Sequence, residues 1–371
     1  MTSRTAATGR QVVVVCQLDG YANEVRPTEI ARFLRSLGHR VRLVDTFHLS
    51  RASTQRGSIR SRLPHPTPRR LALYAVEAAA RLLPGRRQMG GAYYLVVADH
   101  LLRRRILSSS LRLDGVDLLI CTTPHDAGVL LGARGTPTLY DCPTPWADEL
   151  LFEGRLRTSQ HARLRRREAE LFGAVDHLSF HWHSYARYVL DQYGVSGDNM
   201  LRLDWGCRPV ARRARHASTA RIAYLGSLGS RFIDLPLLGR LCRRYPGIDV
   251  FGGPEPHPSL GVNYRGYATP DVLADYQFGL ITCTDDQLRR EGFSAKHLQY
   301  LAAGLPVLVP AWRRSAEELD GSIPYREDTF VDVVEAYSER ERWREASEAA
   351  YAQAGRLRWD TTLGPLRSLL E

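Results

Sequence analysis

Apolar residues along the chain fall into short runs separated by polar turns. Gln11 to Gln17 (QVVVVCQ) is a continuous β-branched run without alternation, the pattern of a strand buried on both faces of a parallel sheet. It ends in the polar turn at residues 18–23. Pro27-Thr28-Glu29 then predicts a helix start, with an apolar stripe at Ile30, Phe33, Leu34 and Leu37, a Gly38 stop and a second strand at Val41 to Val44. Further strands are expected at 116–121, 136–140 and 175–180, with helices at 159–172 and 185–193. The arginine-rich, aperiodic stretch 204–220 reads as a linker. After it the pattern restarts with Arg221 to Leu225, a glycine-bearing turn at 226–230 and a helix near 235–245. Strands follow at 249–251, 262–264, 278–283 and 307–310. Strand and helix alternating twice over predict an α/β chain of two doubly wound parallel sheets, one per half. Such sheets bind ligands beyond the carboxyl ends of their strands.

The length of 371 residues suits two cores. The expected division is a first domain at 1–205, a linker at 206–220, a second domain at 221–345 and a C-terminal helical segment at 346–371 that returns to the first. No stretch approaches the roughly 18 apolar residues of a membrane span. The first ten residues lack the apolar core of a secretion signal, so a cytoplasmic location is expected. Six cysteines stand alone, without the paired spacing of a zinc or disulfide site.

Charge changes the picture in two places. Residues 51–112 hold 13 arginines against only Glu77 and Asp99, an insertion that dominates the formal net charge of +11. Interleaved with Leu71, Leu73, Tyr74 and Leu82, this patch suits docking on an anionic membrane surface or simple solvation. Nucleic acid is not expected as a partner, because no recognition motif accompanies the arginines. In contrast, Lys296 is the sole lysine of the chain.

Lys296 lies in the most informative segment, Glu291 to Pro310 (EGFSAKHLQYLAAGLPVLVP). It reads as a tight loop, a helix from Ala295 capped by Gly304, and a buried strand. A helix start offers unpaired N–H groups to an anion, and a lysine in its first turn opposes the local dipole unless an anion binds there. This segment resembles the donor-binding motif of GT-B glycosyltransferases of the GT4-like group, in which a first Glu, seven intervening residues and a second Glu are followed by a small-residue helix and Gly-x-Pro-Val. With seven residues between the two Glu positions, the second falls at 299, where Gln299 stands here. Ser294-Ala295-Lys296-His297-Leu298-Gln299-Tyr300 is also similar to the Ser-x-Lys-x-x-Gln-Tyr signature of the xanthan glucuronosyltransferase family.

These resemblances imply two Rossmann-like domains with an interdomain cleft and transfer of a sugar from a nucleotide-sugar donor, UDP-sugars favoured, to a hydroxyl acceptor, lipid-linked acceptors included. They imply that Glu291 contacts the sugar and that Ser294, Lys296 and Gln299 hold the diphosphate and ribose. They also imply that the turn Gly226, Gly229 and Arg231 is a second phosphate loop, and that Tyr267 follows in the base-binding loop. No metal or other cofactor is expected, since no Asp-x-Asp site is present and Asp285-Asp286 reads as solvated. For the acceptor base, Asp141 at a strand end ranks first, His125 second and Asp19 third. His181-Trp182-His183 reads as structural. The alternatives are a nucleotide-sugar epimerase or hydrolase of the same fold, and a noncatalytic phosphate- or membrane-binding protein.

Overall fold

A computed structural model describes residues 9–18, 22–46, 104–109, 111–208, 210–229 and 232–371, together with positions 68, 71, 72 and 75. The chain divides into two compact units, Met1–Asp204 with Leu363–Glu371, and Trp205–Thr362. Most of the arginine-rich insertion at 51–112 lies outside the described residues; within them, 68, 71, 72, 75 and 104–109 are helical.

In the first unit β1 (Gln11–Cys16), α1 (Ala22–Ser36) and β2 (Arg40–Asp45) are followed by β3 (Leu118–Cys121), β4 (Thr138–Cys142), α2 (Trp146–Phe152), α3 (Thr158–Ala174), β5 (His177–Phe180) and α4 (His183–Tyr193). The five strands pair in parallel in the order β2-β1-β3-β4-β5, so the chain reverses direction across the sheet between β1 and β3. The β-branched run of β1 lies at the centre, and Val12 to Cys16 are buried. Helix α1 starts five residues before Pro27, which lies inside it. The proline therefore does not mark the helix start, although its missing N–H costs the helix one bond.

The second unit holds β6 (Ile222–Leu225), α5 (Leu235–Arg244), β7 (Ile248–Phe251), β8 (Asn263–Tyr264), β9 (Phe278–Leu280), α6 (Gln287–Glu291), α7 (Ala295–Ala302), β10 (Val307–Pro310), α8 (Ser315–Glu318), β11 (Ser322–Tyr325), α9 (Phe330–Ser338) and α10 (Arg340–Arg356). Its sheet order is β11-β10-β9-β6-β7-β8, all parallel, with the reversal between β6 and β9. The short edge strand β11 carries Pro324 and gives no apolar run, so the sequence pattern passes over it. Helix α10 stays in this unit: Trp343 Nε1 donates to Gln277 O (2.8 Å) and Ser347 Oγ to Gly304 O (2.6 Å). The segment that joins the first unit is Leu363–Glu371 rather than everything from 346, and Arg10 Nε there donates to Leu370 O (3.2 Å).

At the reversal point β6 and β9 pair only over Ile222–Ala223 and Phe278–Gly279. Beyond that they part, and the Tyr300 hydroxyl of α7 enters the gap to accept from Leu225 N at 2.7 Å. Gly279 leaves room for the ring, since a Cβ there would lie 2.4 Å from it. Removing the hydroxyl strands a buried N–H, which costs about 1–3 kcal/mol. Tyr300→Phe is therefore expected to lower unfolding free energy by that amount in urea denaturation; an unchanged midpoint would show that water or a rearranged strand satisfies Leu225.

Candidate active site

Each unit presents polar side chains at the carboxyl ends of its strands. In the second unit the chain leaves β6 at Gly226 and passes from β9 through α6 into α7. Ser294 occupies the N-cap position of α7, yet its hydroxyl makes no capping hydrogen bond. The first N–H groups of the helix are thus not satisfied by that side chain. Lys296 reaches back from the first turn to β6. Its Nζ donates to the Tyr224 hydroxyl (2.9 Å), and a Cβ on Gly226 would stand 2.7 Å from the same nitrogen. Gly226 is required here because it lets an ammonium lie against backbone. Burial lowers the Lys296 amine to about 7; the Cys283 sulfur opposes the shift and the Arg313 guanidinium adds to it, and no carboxylate takes part.

Glu291 is the last residue of α6 and not part of a loop. Arg314 Nε holds its Oε1 at 2.5 Å, while Oε2 is buried with no hydrogen-bond partner among the described residues. Gln299 is exposed one turn past Lys296, on the same helix surface. Gly229 packs where a Cβ would meet Pro254 Cδ at 2.8 Å, a steric reason for glycine. Tyr267 follows β8 and is 81% exposed. Arg231 lies outside the described residues. The structure thus brings Gly226 and Lys296 together, with Glu291, Ser294 and Gln299 on the adjoining α6–α7 stretch. Asp285 pairs with Arg290 and Asp286 accepts from Arg289 N as the N-cap of α6. Among the described residues no group of three His, Cys, Asp or Glu side chains could hold a metal ion.

In the first unit Asp141 is fully buried in β4. Arg26 of α1 grips it with two hydrogen bonds, Nε to Oδ2 (2.6 Å) and Nη2 to Oδ1 (2.8 Å), and Ser179 Oγ adds a third at 2.8 Å. Burial pushes the carboxyl up, but the guanidinium outweighs it, and with His181 holds the group well below the usual carboxylate range. A carboxylate so paired is a poor proton acceptor, so the expectation of Asp141 as acceptor base is corrected: it is one half of a buried ion pair. Arg26 also donates to the carbonyls of Leu203 (2.6 Å) and Asp204 (3.1 Å), tying α1 and β4 to the segment that leaves the unit. His181, 3.7 Å from Asp141, is kept neutral by burial and by Arg26, its imidazole lowered to about 4.

His125 follows β3 and is partly exposed, with Trp146 edge-on at 4.4 Å between ring centroids. Trp146 is held by Glu168, which accepts from the N–H groups of Trp146 (2.9 Å) and Ala147 (2.8 Å). Burial raises Glu168 to about 8 against the pull of those N–H groups. Asp19 lies outside the described residues.

No family model matches the chain, and no curated protein matches it in sequence. Solved structures do resemble it. A glycosyltransferase from Rickettsia africae ESF-5 aligns over 98% of both chains with a TM-score of 0.58 at 11% identity. Sucrose-phosphate synthase from Thermosynechococcus elongatus aligns over 97% of this chain and 98% of its own, with a TM-score of 0.65 at 10% identity. Staphylococcus aureus TarM, crystallised as a mutant with fondaparinux, α-GlcNAc-glycerol and UDP, covers 73% of this chain and 58% of its own at 10% identity, with a TM-score of 0.55. The chain has the GT-B fold. In this GT-B chain Lys296 and Gly226 stand where the second sheet reverses, the place at which doubly wound sheets receive ligands.

Sequence reading missed Tyr224, Tyr300, Arg26, Glu168 and Arg313. Tyr224 and Arg26 sit in a strand and a helix as ordinary residues, and only their tertiary neighbours give them roles. A signal existed for Tyr300, the last residue of the Ser-x-Lys-x-x-Gln-Tyr signature.

Two outcomes are expected. Arg26→Met leaves Asp141 charged, buried and unpaired, so it should destabilise the protein by about 3–5 kcal/mol in denaturant unfolding. Arg26→Met combined with Asp141→Leu should recover most of that loss. Because Lys296 is the sole side-chain amine, its acylation mapped by mass spectrometry should titrate with a midpoint near 7 in unliganded protein; a midpoint near 10.5 would show the amine to be solvated.

Proposed function

We propose that this chain is a glycosyltransferase that moves a sugar from a nucleoside diphosphate-sugar, with UDP-sugars favoured, to a hydroxyl acceptor. The observation that carries the reading is the Lys296 ammonium, partly buried against Gly226 at the sheet reversal, with no carboxylate acting on it. A buried cation without a counter-charge is costly unless an anion arrives. Breaking the bond from the anomeric carbon to the donor oxygen leaves negative charge on the diphosphate and positive charge on the sugar ring. Lys296 and the N–H groups at Ser294 and after would meet the first charge as it develops. The unpartnered Oε2 of Glu291 is suited to accept from a sugar hydroxyl, Gln299 to bond the ribose, and Tyr267 to stack on the base.

In this reading the protein's own cations supply the leaving-group charge, so turnover is expected to persist with a chelator present. With Asp141 committed to Arg26, the base for the acceptor hydroxyl falls to His125, a partly exposed imidazole at the end of β3. The arginine-rich insertion at 51–112 fits docking on an anionic membrane, which suits a lipid-linked acceptor. UDP in the TarM complex favours a uridine donor by analogy of fold alone.

Calorimetry of the wild type and Lys296→Ala with UDP, GDP and TDP tests the reading without added metal. One nucleotide is expected to bind, with at least a tenfold loss in the variant. That affinity should fall as pH rises above 7, because the anion binds the protonated amine and the unliganded amine loses its proton there. Absence of binding by all three would overturn the proposal.

A further inference from the structure

Glu168 is a buried acid of α3 that the proposed reaction leaves without a task. Unlike Asp141 it joins no ion pair among the described residues; its partners are donors of another kind. They are the N–H groups of Trp146 and Ala147, the first two residues of α2, and the Tyr193 hydroxyl of α4, which donates to Oε2 at 3.2 Å. Pro145 occupies the N-cap position of α2 and makes no side-chain capping bond. Glu168, 22 residues past Trp146, takes over that role with one oxygen on each N–H. Asp148, the next acid of that first turn, is also buried and is held by the Tyr188 hydroxyl (2.8 Å) and by His161 (2.5 Å). A helix of seven residues is thus anchored at its start from both α3 and α4.

What this clamp places is the Trp146 ring. The indole Nε1–H is buried with no hydrogen-bond partner among the described residues, so no bond of its own fixes the ring. Packing does not wedge it, because a cavity of about 30 Å³ lies against it, walled also by Pro124, Leu164 and Glu168. The ring therefore goes where its backbone goes, and Glu168 holds that backbone. The indole in turn stands against the His125 imidazole, 4.4 Å between centroids and 76° between planes, and so limits how that imidazole can turn.

We propose that Glu168 is a positioning residue for the acceptor base: its carboxyl holds the first turn of α2, that turn carries the Trp146 ring, and the ring orients the His125 imidazole. The inference rests on His125 being the base in the proposed function. Ionised, the carboxyl accepts from all three donors; a proton on either oxygen turns that oxygen into a donor facing an N–H. The groups facing Glu168 are Asp148 of α2, Tyr193 of α4 with Arg165 over its ring, Tyr140 and Cys142 of β4, and Arg167 on the cavity wall. Burial, with the charge of Asp148, raises the group to about 8 against the pull of its three donors. The clamp therefore closes fully as pH rises through that value and slackens below it.

Fluorine NMR of the 5-fluorotryptophan-labelled protein, with the Trp146 resonance assigned from Trp146→Leu, tests the first link without any ligand. That resonance is expected to titrate with a midpoint near 8 in the wild type and in His125→Asn, and not to titrate there in Glu168→Gln. Hydrolysis of the nucleotide sugar that the wild type turns over, at pH about 9, tests the rest. Glu168→Gln and Trp146→Leu should each lower kcat at least tenfold with the donor KM within twofold of the wild type, and the double variant should lose no more than either alone, because both act through one contact. A Trp146 resonance that stays still from about pH 7 to 9 overturns the inference, and so does a kcat within twofold of the wild type in either variant or a pair of losses that add. In each of those cases nucleotide binding that is lost in Lys296→Ala leaves the glycosyltransferase reading standing; a protein that binds no nucleotide removes that reading and this inference with it. If Glu168→Gln does not fold, the wild-type titration and the kinetics of Trp146→Leu decide.

Discussion

The hydrogen bond from Lys296 to the Tyr224 hydroxyl holds an amine against the backbone of Gly226, at the point where the second sheet reverses. Strands β6 and β9 must part after two paired residues to leave room. Tyr300 then closes the gap from α7, the same helix that carries Lys296 four residues earlier. The lysine is thus aimed by a helix whose own tyrosine is locked to the strand it faces. Burial lowers its amine to about 7, so without an anion beside it the amine lies near the balance between charged and neutral forms. An incoming anion shifts that balance toward charge, which couples ligand and proton.

The first unit solves the opposite problem. Its most deeply buried charge, Asp141, is fully compensated by Arg26, and the same guanidinium holds two carbonyls of the departing chain. Pairing of this quality makes the carboxylate inert as a base and gives it a mechanical task in α1, β4 and the segment at 203–204. Asp141 is thus compensated within its unit, whereas no carboxylate acts on Lys296 in the other. That contrast is the ground on which the proposed function assigns the anion to Lys296.

Most of the strands were legible in the pattern of apolar runs, because a strand buried on both faces of a parallel sheet must be apolar along its length. The run of β1, the restart at β6 and the buried strand β10 fall close to where the sequence places them. Boundaries that depend on turns were less legible: α1 begins ahead of Pro27, and Glu291 closes a short helix. Lys296 stood out because it is the sole lysine beside a helix start, and Gly226 because a glycine follows a strand. Arg313 and Arg289 could not stand out among 51 basic residues, nearly all of them arginine. Burial is what distinguishes them, and burial is decided by neighbours distant in sequence.

By itself the sequence determined the alternation of elements and the two-sheet architecture, since both follow from local periodicity. Only the tertiary structure decided which charges are paired. Asp141 reads as a base at a strand end until Arg26, 115 residues away, is seen to hold it. Lys296 reads as a lysine beside a helix start until the Tyr224 hydroxyl and the backbone of Gly226 are seen against its amine. The energy of a charge in a protein is set by the distance to its partners and by the water removed from around it, and neither is written in the order of residues.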